Sequence, residues 1–301
     1  MLAEALRLTT SQEDIDELTA QLEAELKECE ATTVSYKNKL KQFMMENDIW
    51  QISELNYYWR EKYCEYLKNR MSKTSCELYI KTFDRVKLHS LRKRPQIILA
   101  GKRQRPEYAD EILYLPYHPN IEIAERFFKE NNKNLLAWDF TLKTAEKLKR
   151  QIFQVLHYFI ENAANSERMH AQLGGLARLY DFCVLEQIED LEKLEIDQIE
   201  RFQKTFTTEY QRHYYAGVTY WCGRALFMEA EEIHWDANVW YMERMHLQPE
   251  RIDPAAPVIS LSFAEVTNKE NRKLLQKFLR FGIGIANVSF SSLSTEFLLV
   301  S

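Results

Sequence analysis

Seven apolar residues in the first third of the sequence recur, at identical spacings and without a gap, 139 residues further along the chain. The first set is Leu40, Phe43, Ile49, Ile52, Leu55, Tyr63 and Leu67, and the second is Leu179, Phe182, Ile188, Leu191, Leu194, Phe202 and Phe206. A supersecondary unit used twice needs the same buried positions at the same intervals, so the recurrence predicts two copies of one unit. The alternative is that two unrelated amphipathic helix pairs fall into partial register, which a chain with 46% hydrophobic residues permits.

The positions of the prolines predict where the domains begin and end. Proline occurs at 95, 106, 116, 119, 249, 254 and 257, which leaves two long blocks without it. Because proline blocks helix continuation, we expect an all-α protein with two tandem four-helix-type domains joined by a proline-containing linker. The expected segments are 1–94 (an acidic helix and the first helical domain), 95–119 (a basic linker), 120–248 (the second helical domain) and 249–301.

Smaller elements are predicted inside and beyond the connectors. The segments Gln96–Leu99 and Glu111–Tyr117 have strand character and are expected to pair as a small β-hairpin. Residues 249–301 predict a linker, a helix over Asn271–Phe281 and the start of a further helix capped by Ser294 or Thr295. We interpret this segment as an incomplete third helical unit, and the alternative is a short C-terminal strand or helix that docks on the body.

Positive charge is concentrated in one part of a chain whose net charge is −5. Between positions 81 and 105 Asp84 is the single acid, and the basic residues are Lys81, Arg85, Lys87, Arg92, Lys93, Arg94, Lys102, Arg103 and Arg105. Such a cluster predicts contacts with the phosphates of double-stranded DNA, with Arg212 and Arg224 as weaker counterparts in the second domain. The alternative is that these bases balance a helix dipole or the acidic segments of the same chain, of which 186–201 is one.

The sequence contains no recognisable catalytic or cofactor motif. Gly174-Gly175 and Gly282-Ile-Gly284 lack the spacing of a phosphate-binding loop, and the His-Glu-x-x-His metal motif is absent. We expect His234, the carboxylates Glu229, Glu231 and Glu232, and the aromatic residues Tyr214–Tyr241 to be surface or core residues. The five scattered cysteines and the lack of a long apolar run predict a cytoplasmic protein with neither metal site nor membrane span.

Several segments resemble a known family. They are Ser35–Phe43, Ile52–Leu55, Tyr63–Leu67 and Ser72–His89, and together they are similar to the SAM-like core-binding domain of tyrosine recombinases, the phage-type integrases. The resemblance covers residues 33–94, more weakly 145–230, and the start of a further unit at 291–301. It implies a four-helix domain that clamps one face of DNA, whereas strand cleavage belongs to a separate C-terminal domain.

The catalytic residues of that family have no counterparts here. His89-Ser-Leu-Arg92 matches a His-x-x-Arg pair by spacing alone and lies inside the first helical domain, so we interpret it as part of the basic patch. The expectation is therefore a non-catalytic DNA-binding region of an integrase-like protein, without a cofactor and with self-association as a further partner class. The alternative is a helical scaffold that binds other proteins and not DNA.

Overall fold

The computed structural model describes residues 12–29, 33–95, 98–99, 102–103, 105–129, 137–245 and 259–284, and the chain divides into two compact units, Met1–Thr141 and Leu142–Ser301. The described part is mostly helical, as the sequence predicts. The unit boundary follows Thr141, so the linker predicted at 95–119 falls within the span of the first unit. The predicted start of a helix at Ser294 or Thr295 lies outside the described residues.

The first unit contains five helices and four short strands in its described part. In chain order these are α1 (Gln12–Glu28), α2 (Val34–Glu46), a 3₁₀ turn (Ile52–Glu54), α3 (Tyr57–Lys68), α4 (Lys73–Lys93), β1 (Ile98–Leu99), β2 (Lys102–Arg103), β3 (Ile112–Tyr114), a 3₁₀ turn (Leu115–Tyr117), α5 (Ile121–Lys129) and β4 (Ala137–Asp139). Helices α1 to α4 share one core, to which Leu22, Leu40, Phe43, Tyr63 and Phe83 contribute.

The second unit repeats this order of elements. They are α6 (Glu146–Asn162), α7 (Ser166–Leu185), a 3₁₀ turn (Leu191–Lys193), α8 (Ile196–Lys204), α9 (Glu209–Tyr215), α10 (Val218–Glu229), β5 (Val239–Tyr241), a 3₁₀ turn (Met242–Met245), β6 (Ser260–Ser262) and α11 (Lys269–Gly284). Helices α9 and α10 occupy the positions of α4, and Gly217 separates them. The helix predicted over Asn271–Phe281 is confirmed within α11.

The 139-residue recurrence holds in three dimensions. All fourteen residues of the two apolar sets are buried, and none is more than 8% exposed. Helices α2 and α7 end at equivalent positions, Glu46 and Leu185, and the following 3₁₀ turns begin at Ile52 and Leu191. The spacing therefore reflects one local structure that the chain forms twice, and not an accidental register of unrelated helices.

The turn that ends α2 and α7 is the same in both units. Asp48 and Gln187 are the two non-glycine residues with positive φ in the described part of the chain, at 57° and 55°. The next residue, Ile49 or Ile188, donates its N–H to the carbonyl five residues earlier, at 2.9 Å in both cases. This is a Schellman motif, in which a left-handed residue lets the last helical carbonyls find donors and turns an apolar residue back onto the helix.

The preceding helix also recurs, at a spacing that the ungapped comparison does not detect. In the first unit Glu25 Oε2 accepts a hydrogen bond from the N–H of Ile52 at 3.0 Å, and in the second Gln151 Oε1 accepts one from Leu191 at 2.8 Å. Glu25 and Gln151 are 126 residues apart rather than 139. The spacing changes because helix lengths differ: α7 has 20 residues where α2 has 13.

The strands correct two predictions. β1 pairs with β2, and β3 pairs with β4, so the segments expected to form one hairpin belong to two different sheets. Two residues, Ala100 and Gly101, connect β1 to β2, and such a short connection favours local pairing. β4 and β5 also interrupt the block 120–248 that was expected to be entirely helical. Each of these later pairs ends alike, because Phe140 donates to Glu111 O at 3.1 Å and Phe263 donates to Asn238 O at 2.7 Å.

The recurrent turn makes a testable prediction about stability. Gln187→Gly should raise the free energy of unfolding by about 1 kcal/mol, because glycine removes the steric cost of the left-handed conformation. Asp48→Gly should raise it less, since aspartate enters that conformation more readily than glutamine. Urea denaturation measures both. The control is Glu186→Gly, at the preceding residue with φ −85°, which should lower stability. Loss of stability in Gln187→Gly would contradict the motif.

Candidate nucleic-acid interface

Helix α4 carries the exposed part of the basic cluster. Ser72 caps it, with its Oγ accepting from the N–H of Ser75 at 3.4 Å, and Phe83 and Val86 fix its buried side in the core. Lys81, Arg85 and Arg92 follow one another at intervals of four and seven residues and all three are exposed. At 3.6 residues per turn they lie within about 40° of one another and form a line about 16 Å long. We call these three residues the α4 basic line.

The single acid of this segment does not neutralise the line. Asp84 turns toward the interior, and its carboxylate accepts from Arg60 Nε at 2.8 Å and Nη2 at 3.3 Å. Tyr117 donates a further hydrogen bond to the same carboxylate. Only 15% of the Asp84 side chain is exposed. Its charge is therefore compensated inside the unit, which the sequence alone does not reveal.

Two bases near the end of α4 form exposed ion pairs. Arg92 Nε donates to Glu125 Oε1 at 2.8 Å, and Lys93 Nζ pairs with Glu28. About half of each basic side chain is exposed. Exposed pairs of this kind contribute on the order of 0–1 kcal/mol, so phosphate groups can replace the carboxylates at small cost.

Lys87 is a correction to the predicted interface. It is 5% exposed, and its Nζ donates to the carbonyl of Ser53 at 2.9 Å. Burial, together with the charge of Arg94, lowers the pKa of Lys87 to about 8, and Glu111 opposes the shift. Its side chain thus joins α4 to the 3₁₀ turn Ile52–Glu54 and is not available to a phosphate. Arg94 reaches the same carbonyl from an exposed position, with Nη2 at 3.3 Å.

Three further predicted residues lie on or beside the two-stranded ribbon that follows α4. β1 pairs with β2 in the register Ile98 with Arg103 and Leu99 with Lys102, and Arg105 follows as a half-buried residue. The side chains of Lys102 and Arg103 lie outside the described part of the structure. Their backbone nevertheless places two cations on a narrow antiparallel ribbon, an element that the major groove of DNA accommodates.

The two arginines predicted in the second unit do not join a basic cluster. Arg212 is exposed and its Nη1 donates to the carbonyl of Phe206 at 3.2 Å. Arg224 is half-buried, and it donates to Tyr158 Oη at 3.2 Å and to Glu243 Oε2 at 2.5 Å. Arg224 lies 139 residues after Arg85, so equivalent positions of the two units have different surroundings.

A groove of the second unit contains most of its unassigned polar groups. It has a volume of about 860 Å³ and is lined by residues including Glu192, Glu229, Glu232, His234 and Arg280. His234 Nδ1 lies 2.8 and 2.9 Å from the two carboxylate oxygens of Glu192, and burial raises the pKa of Glu192 although the histidine opposes this. The pair anchors the 3₁₀ turn Leu191–Lys193, because the backbone of Glu192 also contacts Asp190 and Asn238.

Neither a metal-binding cluster nor a membrane span occurs in the described part of the chain. No group of three or more histidine, cysteine, aspartate or glutamate side chains is placed to hold a metal ion there. The described helices are also too short or too polar to cross a bilayer. Comparison of the chain with protein-family models, curated proteins and solved structures finds no match.

Proposed function

We propose that the first unit, Met1–Thr141, binds double-stranded DNA through the α4 basic line and the β1–β2 ribbon. The observation that carries the proposal is the exposure of Lys81, Arg85 and Arg92 along one face of α4 while Asp84 is paired in the interior. Cations in a line contact successive phosphates and do not read base sequence. The interaction is therefore expected to position the protein on DNA without strong sequence preference.

The features of α4 favour duplex DNA over a single strand. Proteins that bind single strands stack bases on exposed aromatic residues. Leu78 is the exposed large hydrophobic residue on α4, and the aromatic Phe83 is fully buried. A surface of cations without an aromatic platform is suited to the phosphate backbone of a helix.

The similarity to the core-binding region of tyrosine recombinases extends this proposal to the whole chain. We propose that both units are tandem copies of a SAM-like helical domain and form a non-catalytic arm of an integrase-like protein. The repeated turn, 3₁₀ segment and buried positions support the tandem arrangement. The second unit, whose Arg224 is paired with Glu243, serves in this proposal as a spacer or as a surface for protein partners.

The experiment compares two triple variants in a DNA-binding titration. Lys81→Ala, Arg85→Ala and Arg92→Ala together should weaken binding to a labelled duplex of arbitrary sequence on the order of tenfold at low salt. Its log–log salt slope should be shallower by about 2.7, because three phosphate contacts are lost. The control removes the same charge from exposed positions elsewhere in the unit, by Lys62→Ala, Lys68→Ala and Lys73→Ala.

The control variant should bind nearly as tightly as the unchanged protein. Equal weakening in both variants would mean that only total charge matters and would contradict the assigned surface. A protein that ignores DNA at low salt but forms a stable homodimer would instead support the scaffold interpretation.

A further inference from the structure

Helix α11 has two apolar faces, of which one is covered. Leu275, Leu279 and Ile283 are buried and pack in the same core as Trp240 and Phe263 of the β5–β6 region. On an adjacent face of the helix, the exposed fractions of Leu274, Phe278 and Phe281 are 64%, 52% and 54%. These three residues recur at intervals of four and three, as on a helix face that packs against another helix. We call them the α11 stripe.

The position of α11 in the chain identifies the helix to which it corresponds. α6 begins seven residues after the end of β4, and α11 begins seven residues after the end of β6. The buried residues agree as well: Ile152, Leu156 and Ile160 of α6 lie 123 residues before Leu275, Leu279 and Ile283. α6 is the first helix of the second unit, so α11 occupies the place of the first helix of a third.

In α6 the face that corresponds to the α11 stripe is covered by the rest of its own unit. The equivalent residues are Gln151, Val155 and Tyr158. Gln151 accepts from Leu191 in the 3₁₀ turn, and Tyr158 contacts Arg224 of α10. Val155 is fully buried. The α11 stripe is thus the surface on which the following helices of a copy pack.

We propose that the α11 stripe is the docking face for residues 285–301, as the second helix of a third copy. Leu293, Phe297 and Val300 have the spacing of four and then three residues that Tyr36, Leu40 and Phe43 have on α2. Glu296 is the only charged residue of the segment, whereas α11 exposes Lys273 and Lys277 beside the stripe. The apolar pattern and the opposite charges both fit this occupant.

Hydrogen exchange of the 301-residue chain tests the proposal. Amides of residues 293–300 should exchange on the order of tenfold or more slowly than unprotected amides, because docking restricts their opening. In the double variant Leu274→Glu and Phe278→Glu this protection should disappear, while the amides of α11 keep theirs and show that the unit is folded. The control, Lys273→Glu and Lys277→Glu, changes exposed positions of the same helix and should preserve most of the protection.

A second variant examines the contact from the opposite side. Phe297→Glu should remove the same protection, and combining it with the stripe variant should add nothing, because residues in contact do not act independently. Absence of protection in the unchanged protein, or protection that survives both variants, would overturn the proposal. A dimer that dissociates in the stripe variant, with residues 293–300 unprotected, would also overturn it by assigning the stripe to a second copy.

Discussion

Replacing Arg272 with methionine is expected to lower the free energy of unfolding by about 3 kcal/mol or more. The Arg272 side chain is 7% exposed, and its Nη1 and Nη2 donate to the two carboxylate oxygens of Glu195 at 2.9 and 2.6 Å. It also donates to Asn238 Oδ1 at 3.0 Å and to the carbonyl of Val266 at 2.8 Å. Methionine preserves much of the packing but leaves a partly buried carboxylate and two acceptors without their donor.

Urea denaturation of matched variants measures this effect. Lys273→Met changes the next residue, whose side chain is 65% exposed, and should alter stability by less than about 0.5 kcal/mol. Combining Arg272→Met with Glu195→Gln should recover part of the loss, because the uncompensated carboxylate is then removed. A cost below about 1 kcal/mol for Arg272→Met would show that the arginine does not hold α11 to the start of α8 as its contacts indicate.

The second large effect is a pH dependence that Lys87 alone produces. Its pKa of about 8 in the folded protein lies below the ordinary lysine value of 10.5. Between these pH values the unfolded chain binds a proton that the folded protein does not, so stability rises with pH. The burial penalty is complete below pH 8, and the contribution of Lys87 improves by about 3 kcal/mol by pH 10.5.

The measurement compares the protein with its Lys87→Met variant at pH 7 and at pH 10.5. The difference in the free energy of unfolding should shift by about 3 kcal/mol in favour of the lysine protein as pH rises. Other groups titrate in this range, but they titrate in both proteins and cancel in the difference. Lys81→Met, on the exposed line of the same helix, should show no such shift. Parallel pH profiles for the protein and its Lys87→Met variant would contradict the buried position of Lys87.

The parts of the fold that follow from local apolar spacing could be predicted from the sequence. The two apolar sets predict the recurrence from α2 through α3 and from α7 through α8, because no insertion separates their members. The relation of α1 to α6 is invisible at that offset, since α7 is longer than α2. Strand partners were also missed, because β3 pairs with β4 across α5 and such non-local choices depend on packing.

The surface was less predictable than the fold, because burial decides which charges a partner meets. Lys87 and Arg85 are two residues apart in a basic run, yet one is buried and the other exposed. Asp84 counts as a neutralising acid in the sequence, but its pairing with Arg60 directs it inward. Helical periodicity separates the buried from the exposed face of α4, whereas the partners of Asp84 and Lys87 come from distant segments.

The salt dependence of DNA binding tests the central claim most directly. If six or more of the exposed and ribbon cations contact phosphates, affinity for duplex DNA should fall on the order of a thousandfold between about 50 and 200 mM salt. The slope should be the same for unrelated sequences, because phosphate contacts do not distinguish bases. A flat response over this range, or no binding at the lower salt concentration, would contradict the assignment of the first unit as a DNA-binding domain.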